Sequence, residues 1–279
     1  MSSHVQSSCP LHGFLRERNR PGSPGARIAF FVLGLIAYGA FLGTILYAIG
    51  FIGGWIVPKS IDSGNAESPL PSMIWDAALL LVFVGQHTVM ARPGFKRLWT
   101  RVVPQSIERS VFVLAASAAL ALVFWQWRPI PQEVWRLKEP AWAWLVSALS
   151  LVGWTIVFSA SFMVDHFDLF GLRQVWLRLL GRPYRPVGFR LVGLYRFVRH
   201  PLMFGFLIAF WATPVMTLGH LFFAIMITLY IAFGVWMEER DLVAEQGQAY
   251  MRYRRDVTAI IPWKGRLQDE TQAGAGARA

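Results

Sequence analysis

The sequence is poor in cysteine and in charged residues. Its one cysteine, Cys9, lies in a polar leader, so the chain has no internal disulfide and no metal site built on several cysteines. Only 15% of the 279 residues are charged and 55% are hydrophobic, which excludes an ordinary soluble domain and a largely disordered chain. The glycine-rich turn, the P-loop and the HExxH helix of soluble nucleotide and zinc enzymes are missing too.

Long apolar runs dominate the chain instead. They occupy residues 28–57, 73–91, 109–127, 142–164, 201–218 and 220–237. Each run is about long enough to cross the hydrocarbon core of a bilayer as a helix. Only Gly219 and His220 divide the last two runs, which favours a tight helical hairpin. The sequence therefore predicts an all-α integral membrane protein, a bundle of five to six transmembrane helices.

The basic residues are distributed unevenly between the two sides of this bundle. Of 27 lysines and arginines, 23 fall in the leader, in the connections after the second and fourth runs, and in the tail. The other side has Lys59, Arg128, Arg136 and Lys138. The positive-inside rule then predicts that both termini are cytoplasmic. Membrane lipids are the partners of this charge, and the net charge of +11 needs no nucleic acid to explain it.

The same pattern divides the chain into five segments. These are a flexible basic leader (1–27), the first four transmembrane helices (28–164), a cytoplasmic connector (165–200), the hairpin with a C-terminal motif (201–264), and a tail rich in glycine and alanine that we expect to be disordered (265–279). The first apolar run is too long for the h-region of a signal peptide, so we expect an uncleaved first span.

Ionisable and polar residues gather at the predicted cytoplasmic ends of the runs. They are Gln86 and His87, then Asp165, His166 and Asp168, then Tyr195, Arg199 and His200, and finally Glu238 and Glu239. Each has an ordinary explanation as a capping or interfacial residue, but their convergence at one interface indicates a site. The predicted outer face has no matching set. The scattered histidines predict no metal site.

Two segments of the C-terminal third carry a recognisable pattern. They are YRFVRHPLMFG from Tyr195 to Gly205 and EERDLVAEQGQAYMRYRRDVTAIIPW from Glu238 to Trp263. The pattern resembles the cofactor-binding region of integral-membrane methyltransferases of the isoprenylcysteine carboxyl methyltransferase and phospholipid methyltransferase type. The resemblance implies a cytoplasmic-side pocket for S-adenosylmethionine, made by Tyr195, Arg199, His200, Pro201, Gly205, Glu238 and Glu239. Met203 replaces the aromatic residue of the family pattern.

Three upstream segments extend the resemblance over nearly the whole chain. They are LYAIGFIGGWIVPKSID, VGQHTVMARPGFK and SASFMVDHFDLFGLRQVW, which begin at Leu46, Val84 and Ser159. Together they are similar to the methanethiol S-methyltransferase family of bacterial membrane enzymes, and NnrU-like proteins share parts of them. The resemblance implies methylation of methanethiol to dimethyl sulfide at the bacterial inner membrane. A lipid or prenylcysteine acceptor, and a non-catalytic NnrU-like protein, stay as alternatives.

The implied chemistry suggests a role for each candidate residue. Arg199 can bind the carboxylate of the cofactor, and Glu238 or Glu239 its ammonium or ribose diol. Pro201 suits the start of a helix, and Gly205 would let the ligand approach the backbone. The list of candidate bases for the thiol proton comprises His87, His166, Asp168 and, by another route, Tyr195, with Asp165 orienting a partner.

Overall fold

The protein is largely helical in its computed structural model, which describes residues 23–65, 68–186 and 192–264. The helices are α1 (Pro24–Gly53), α2 (Pro69–Ala91), α3 (Pro93–Trp99), α4 (Gln105–Gln126), α5 (Pro140–Val164), α6 (His166–Leu169), α7 (Leu172–Leu179), α8 (Pro201–Trp211), α9 (Leu218–Gln246) and α10 (Gln248–Asp256). A two-stranded sheet contains β1 (Glu133–Arg136) and β2 (Val215–Thr217), and a 3-10 turn covers Gly193–Arg196. The predictions for the leader up to residue 22 and for the tail from residue 265 lie outside the described residues.

Five of these helices, α1, α2, α4, α5 and α9, are long and apolar enough to cross a membrane. Helices α1, α2, α3, α5 and α8 begin with proline, whose missing N–H is not needed in the first turn. Large apolar side chains such as Leu81 and Leu229 face outward, as lipid contact requires. The prediction of an all-α integral membrane protein is confirmed.

The predicted boundary between the last two apolar runs is wrong. Helix α8 has 11 residues and is about 16 Å long, about half the thickness of a bilayer core. Residues 212–217 join it to α9, and β2 within this link pairs antiparallel with β1. Gly219 and His220 lie in the first turn of α9, which Thr217 caps by accepting a hydrogen bond from the His220 N–H at 3.1 Å. Strand pairing and this cap place the start of α9 at Leu218, before the predicted boundary. Hydropathy reports neither interaction.

Helix α8 packs closely against α5. A Cβ added to Gly153 would lie 2.6 Å from the Ala209 nitrogen, and one added to Gly205 would lie 2.7 Å from the Gly153 carbonyl oxygen. The Ser150 hydroxyl also donates to the Ala209 carbonyl at 2.9 Å. Small residues therefore let the two backbones touch, which fixes the position of the segment that precedes α8.

Buried polar residues also lie at the end of the bundle where α9 begins. Asp76, in α2, is fully buried and accepts a hydrogen bond from the Arg128 N–H at 2.9 Å. The Thr217 hydroxyl donates to Asp62 at 2.5 Å, and burial raises the pKa of Asp62. The expectation of no polar set on this face is therefore wrong. Asp62 follows the first apolar run and Asp76 lies inside the second, and only tertiary packing brings them to Thr217 and to the Arg128 backbone.

The contact between α5 and α8 gives a prediction for stability. Gly205→Ala should lower the free energy of unfolding by about 1 to 3 kcal/mol, because the new methyl group would overlap the α5 backbone. The matched control is Gly43→Ala in α1, where an added Cβ meets nothing within 4 Å. Thermal unfolding in detergent would compare the two variants, and equal stability would contradict the close packing.

Candidate active site

Glu239 is the centre of a buried ionic cluster. Its carboxylate accepts hydrogen bonds from Arg199 Nε at 2.7 Å and from His200 Nε2 at 3.2 Å. Arg199 Nη2 lies 2.6 Å and Arg254 Nε 3.2 Å from the same carboxylate. Because the residue is only 7% exposed, its charge requires these partners. Glu239 in α9 thus joins the segment before α8 to α10.

Backbone hydrogen bonds fix this segment further. The N–H groups of Arg199 and His200 donate to the carbonyl groups of Thr258 and Ala259, each at 2.9 Å. Arg199 Nη1 donates to the Arg254 carbonyl at 2.9 Å and to that of Val257. Arg199 therefore directs its Nε, Nη1 and Nη2 atoms to partners within the protein.

Two polar side chains lie beside the cluster. Glu238 is 51% exposed at its side chain, and its carboxylate lies 3.6 Å from His200 Nδ1. Burial and the negative charge of Glu238 raise the pKa of Tyr195 to about 12. At neutral pH Tyr195 therefore keeps its proton, so it can donate a hydrogen bond but cannot accept a proton as a base.

The two remaining predicted cofactor residues, Pro201 and Gly205, both lie in α8. Pro201 is the first residue of α8, as predicted. The face of Gly205 is filled by α5: an added Cβ would meet the Gly153 carbonyl and Val157 within 3 Å. The expectation that Gly205 admits a ligand to the backbone is therefore wrong, because helix packing uses the space that the missing side chain leaves.

His166 has both ring nitrogens engaged. The Ser161 hydroxyl donates to the Phe158 carbonyl at 2.7 Å, so the 2.8 Å contact between Ser161 and His166 Nδ1 makes Nδ1 the donor. His166 Nε2 then accepts from the Tyr38 hydroxyl at 3.0 Å. The ring stacks on Phe162 at 4.2 Å, and burial lowers the pKa of His166. This geometry favours a neutral structural imidazole that links α1 to α5.

Asp168 is also held by neighbours. Its carboxylate accepts from the Tyr184 hydroxyl at 3.1 Å and from Arg173 at 3.3 Å. Asp165 caps α6 by accepting from the Asp168 N–H at 3.1 Å, in a left-handed conformation with φ of 142°. Hydrogen bonds within the protein therefore already engage the Asp168 carboxylate.

His87 lies in a different environment, near the C-terminal end of α2. Aromatic rings surround it: the centroids of Phe112, Phe83 and Tyr230 lie 5.0, 5.6 and 6.3 Å from that of His87. His87 Nδ1 and Gln86 Oε1 are buried and have no hydrogen-bond partner within the part of the chain that the structure describes. Among the described residues, His87 is thus the candidate base with a ring nitrogen that no protein group engages.

The structure brings Tyr195, Arg199, His200, Glu238 and Glu239 together. Helix α9 connects them to His87 through Tyr230, and an ion pair of 2.8 Å between Arg92 and Asp241 joins the ends of α2 and α9. His166 instead contacts Tyr38 and Phe41 of α1. Sequence reasoning missed Tyr230 and Arg254. The one signal for Tyr230 is a polar group in an apolar run, eight residues before Glu238.

Comparison with known proteins identifies a family and its named relatives. The family model described as NnrU protein matches residues 77–263. Methanethiol S-methyltransferase of Mycobacterium tuberculosis is 50% identical over 235 residues, 84% of this chain and 96% of the relative. Methanethiol S-methyltransferase 1 of Bradyrhizobium diazoefficiens is 47% identical, covering 88% of this chain and 87% of the relative.

More distant similarity reaches proteins of animals. Nurim of Pan troglodytes is 33% identical over 184 residues, 63% of this chain and 70% of the relative. No solved structure matches the chain significantly. With a family match over most of its length and extensive identity to enzymes of one name, the chain belongs to the NnrU protein family and, within it, to the group of the methanethiol S-methyltransferases.

Proposed function

We propose that the chain transfers the methyl group of S-adenosylmethionine to methanethiol and releases dimethyl sulfide. The observation that carries this proposal is the pairing of two half-sites along α9. The ionic cluster surrounds Glu239. His87 lies beside Tyr230, which is about 14 Å from Glu239 along the helix axis, and its Nδ1 has no hydrogen-bond partner among the described residues. The names of the bacterial relatives support the acceptor.

The donor set around Glu238 suits the cofactor. Glu238 offers an exposed carboxylate for an ammonium or a ribose diol, and the Tyr195 hydroxyl offers a hydrogen-bond donor. Arg254 is half exposed and can face a carboxylate. S-adenosylmethionine supplies an electrophilic methyl group on a positively charged sulfur.

The other predicted cofactor residues act mainly by positioning. Arg199 and Glu239 saturate each other, so we assign them to shaping the pocket rather than to the fork first expected for the cofactor carboxylate. His200 lies between the two glutamates, with Nε2 toward the buried Glu239 and Nδ1 toward the exposed Glu238. Pro201 starts α8 directly after it.

His87 is the base that the geometry favours for the acceptor. A thiol at Nδ1 would give its proton to this nitrogen, and the thiolate would attack the methyl carbon in line with the bond to the departing sulfur. A new carbon–sulfur bond forms as the old one breaks, giving dimethyl sulfide, S-adenosylhomocysteine and a proton on His87. Burial among aromatic rings keeps water away from the thiolate.

The site belongs on the cytoplasmic side of a bacterial inner membrane in this proposal. The basic residues favour that side. Helices α2 and α9 run in the same direction, since Leu80 and Met226 line one groove and Arg92 and Asp241 pair farther along. Both half-sites therefore face the compartment where S-adenosylmethionine is made and used.

Purified protein in lipid nanodiscs, given S-adenosylmethionine with a labelled methyl group, tests the function. The acceptors are methanethiol, longer thiols, a prenylcysteine and phosphatidylethanolamine. We expect the label in volatile dimethyl sulfide. Label in the prenylcysteine or the lipid would establish the alternative acceptor, and no transfer at all would favour a non-catalytic member of the family.

The two adjacent glutamates should respond differently to loss of charge. Glu238→Gln should weaken S-adenosylmethionine binding about 10- to 150-fold, because it removes a charge-assisted bond. Glu239→Gln should lower the free energy of unfolding by about 3 to 5 kcal/mol, because Arg199 would stay buried without its counter-ion. Calorimetric titration measures the first effect and thermal unfolding the second.

Glu245→Gln is the matched control, since Glu245 lies exposed on the same helix. It should change neither quantity. The assignment would be refuted by normal cofactor affinity in Glu238→Gln, and the positioning role of Glu239 by normal stability of its variant.

Removal of the proposed base should give a loss of activity that depends on pH. His87→Gln should lower kcat by about 100-fold near neutral pH and leave cofactor affinity unchanged. The defect should shrink as pH rises, because more of the thiol is already ionised in solution. Rates with methanethiol across a pH series would measure it.

His166→Gln and Asp168→Asn provide the comparison. We expect them to affect stability, because both side chains are held by structural hydrogen bonds. If one of these variants, and not His87→Gln, shows the loss that high pH repairs, the base lies in the turn after α5.

A further inference from the structure

Tyr230 lies between the proposed acceptor site and the lipid-facing surface. On one side its ring centroid is 6.3 Å from that of His87 and 6.4 Å from that of Phe83. The Tyr230 hydroxyl lies beside Thr88, which follows His87 in α2. The ring therefore belongs to the aromatic cluster around His87, whose Nδ1 has no hydrogen-bond partner among the described residues.

On its other side Tyr230 lines an apolar groove. The groove has a volume of about 230 Å³, runs between α2 and α9, and has Val84, Leu229 and Phe233 among its walls. Leu81 and Leu229 there are 62% and 61% exposed. In a membrane-spanning helix such side chains contact acyl chains, so the groove opens toward the bilayer.

We propose that Tyr230 limits the acceptor to a short thiol, because its ring closes the His87 pocket toward this groove. The inference rests on the proposed acceptor site at His87. Phe83, Phe112 and Tyr230 bound the place that a thiol at His87 would take. A methyl group needs the least room there, whereas a longer chain needs space that the Tyr230 ring occupies. Without the ring, the tail of a longer thiol would extend into the groove among apolar side chains.

The choice of residue follows from the contacts of its neighbours. Phe233, one turn farther along α9, lines the same groove, and its ring centroid lies 6.0 Å from that of Trp236. The ring contacts of His87 involve Phe83, Phe112 and Tyr230. Truncation of Phe233 therefore enlarges the groove without opening the pocket, which makes it the matched control.

Thiol selectivity in lipid nanodiscs tests the proposal. For wild type and variants, kcat/KM is measured with methanethiol, ethanethiol and 1-butanethiol. In Tyr230→Ala the ratio of 1-butanethiol to methanethiol should rise about tenfold or more, since each fitted methylene contributes a factor of this order in an apolar pocket. Tyr230→Phe, which keeps the ring, and Phe233→Ala should keep the wild-type ratio.

Each result decides between the two proposals. An unchanged ratio in Tyr230→Ala, with normal S-adenosylmethionine binding and an active wild type, would overturn the role of Tyr230 alone. A wild type that methylates no thiol would overturn the proposed function. If Tyr230→Ala does not bind S-adenosylmethionine, Tyr230→Leu, which keeps bulk but lacks the ring, decides by the same ratio. A rise in Phe233→Ala equal to that in Tyr230→Ala would also contradict the proposal.

Discussion

The neutralisation of Glu239 constrains the cytoplasmic part of the proposed site. A carboxylate with little exposure is costly unless donors surround it. Here the donors come from Arg199, His200 and Arg254, which lie on separate segments. One charge therefore holds together α9, the start of α8 and the C-terminal helix α10. The exposed Glu238 next to it keeps its orientation because the backbone on both sides is fixed.

Helix packing sets the position of this cluster in the bundle. The short helix α8 leans on α5 through Gly153 and Gly205, so the residues before Pro201 cannot shift without breaking that contact. The link after α8 forms a strand that pairs with β1. Both ends of α8 are thereby held, one by ionic contacts and the other by strand pairing, as expected of a site that relies on positioning its reactants.

The two halves of the proposed site differ in physical character. The part around Glu238 and Glu239 is rich in charge and partly open, which suits a charged cofactor. The part around His87 is aromatic and buried, which suits a small apolar thiol. Helix α9 connects the two halves, because it supplies Tyr230 to one and both glutamates to the other. The alternative bases, His166 and Asp168, face α1 and α7 instead.

Several features could be predicted from the sequence alone. Apolar runs of bilayer length determined the membrane-spanning helices, because the need to satisfy backbone groups in lipid leaves few other choices. The predicted place at the cytoplasmic ends of the runs, together with the resemblance to a family pattern, identified four residues that do meet in the structure: Arg199, His200, Glu238 and Glu239.

Only the tertiary structure decided the rest. It moved the start of α9 through the pairing of β2, and it showed that α5 fills the space beside Gly205. It also distinguished the saturated nitrogens of His166 from the unpartnered nitrogen of His87. The sequence places polar residues at a given depth along their helices, but which partners they meet depends on how the helices rotate and pack, and hydropathy does not encode that.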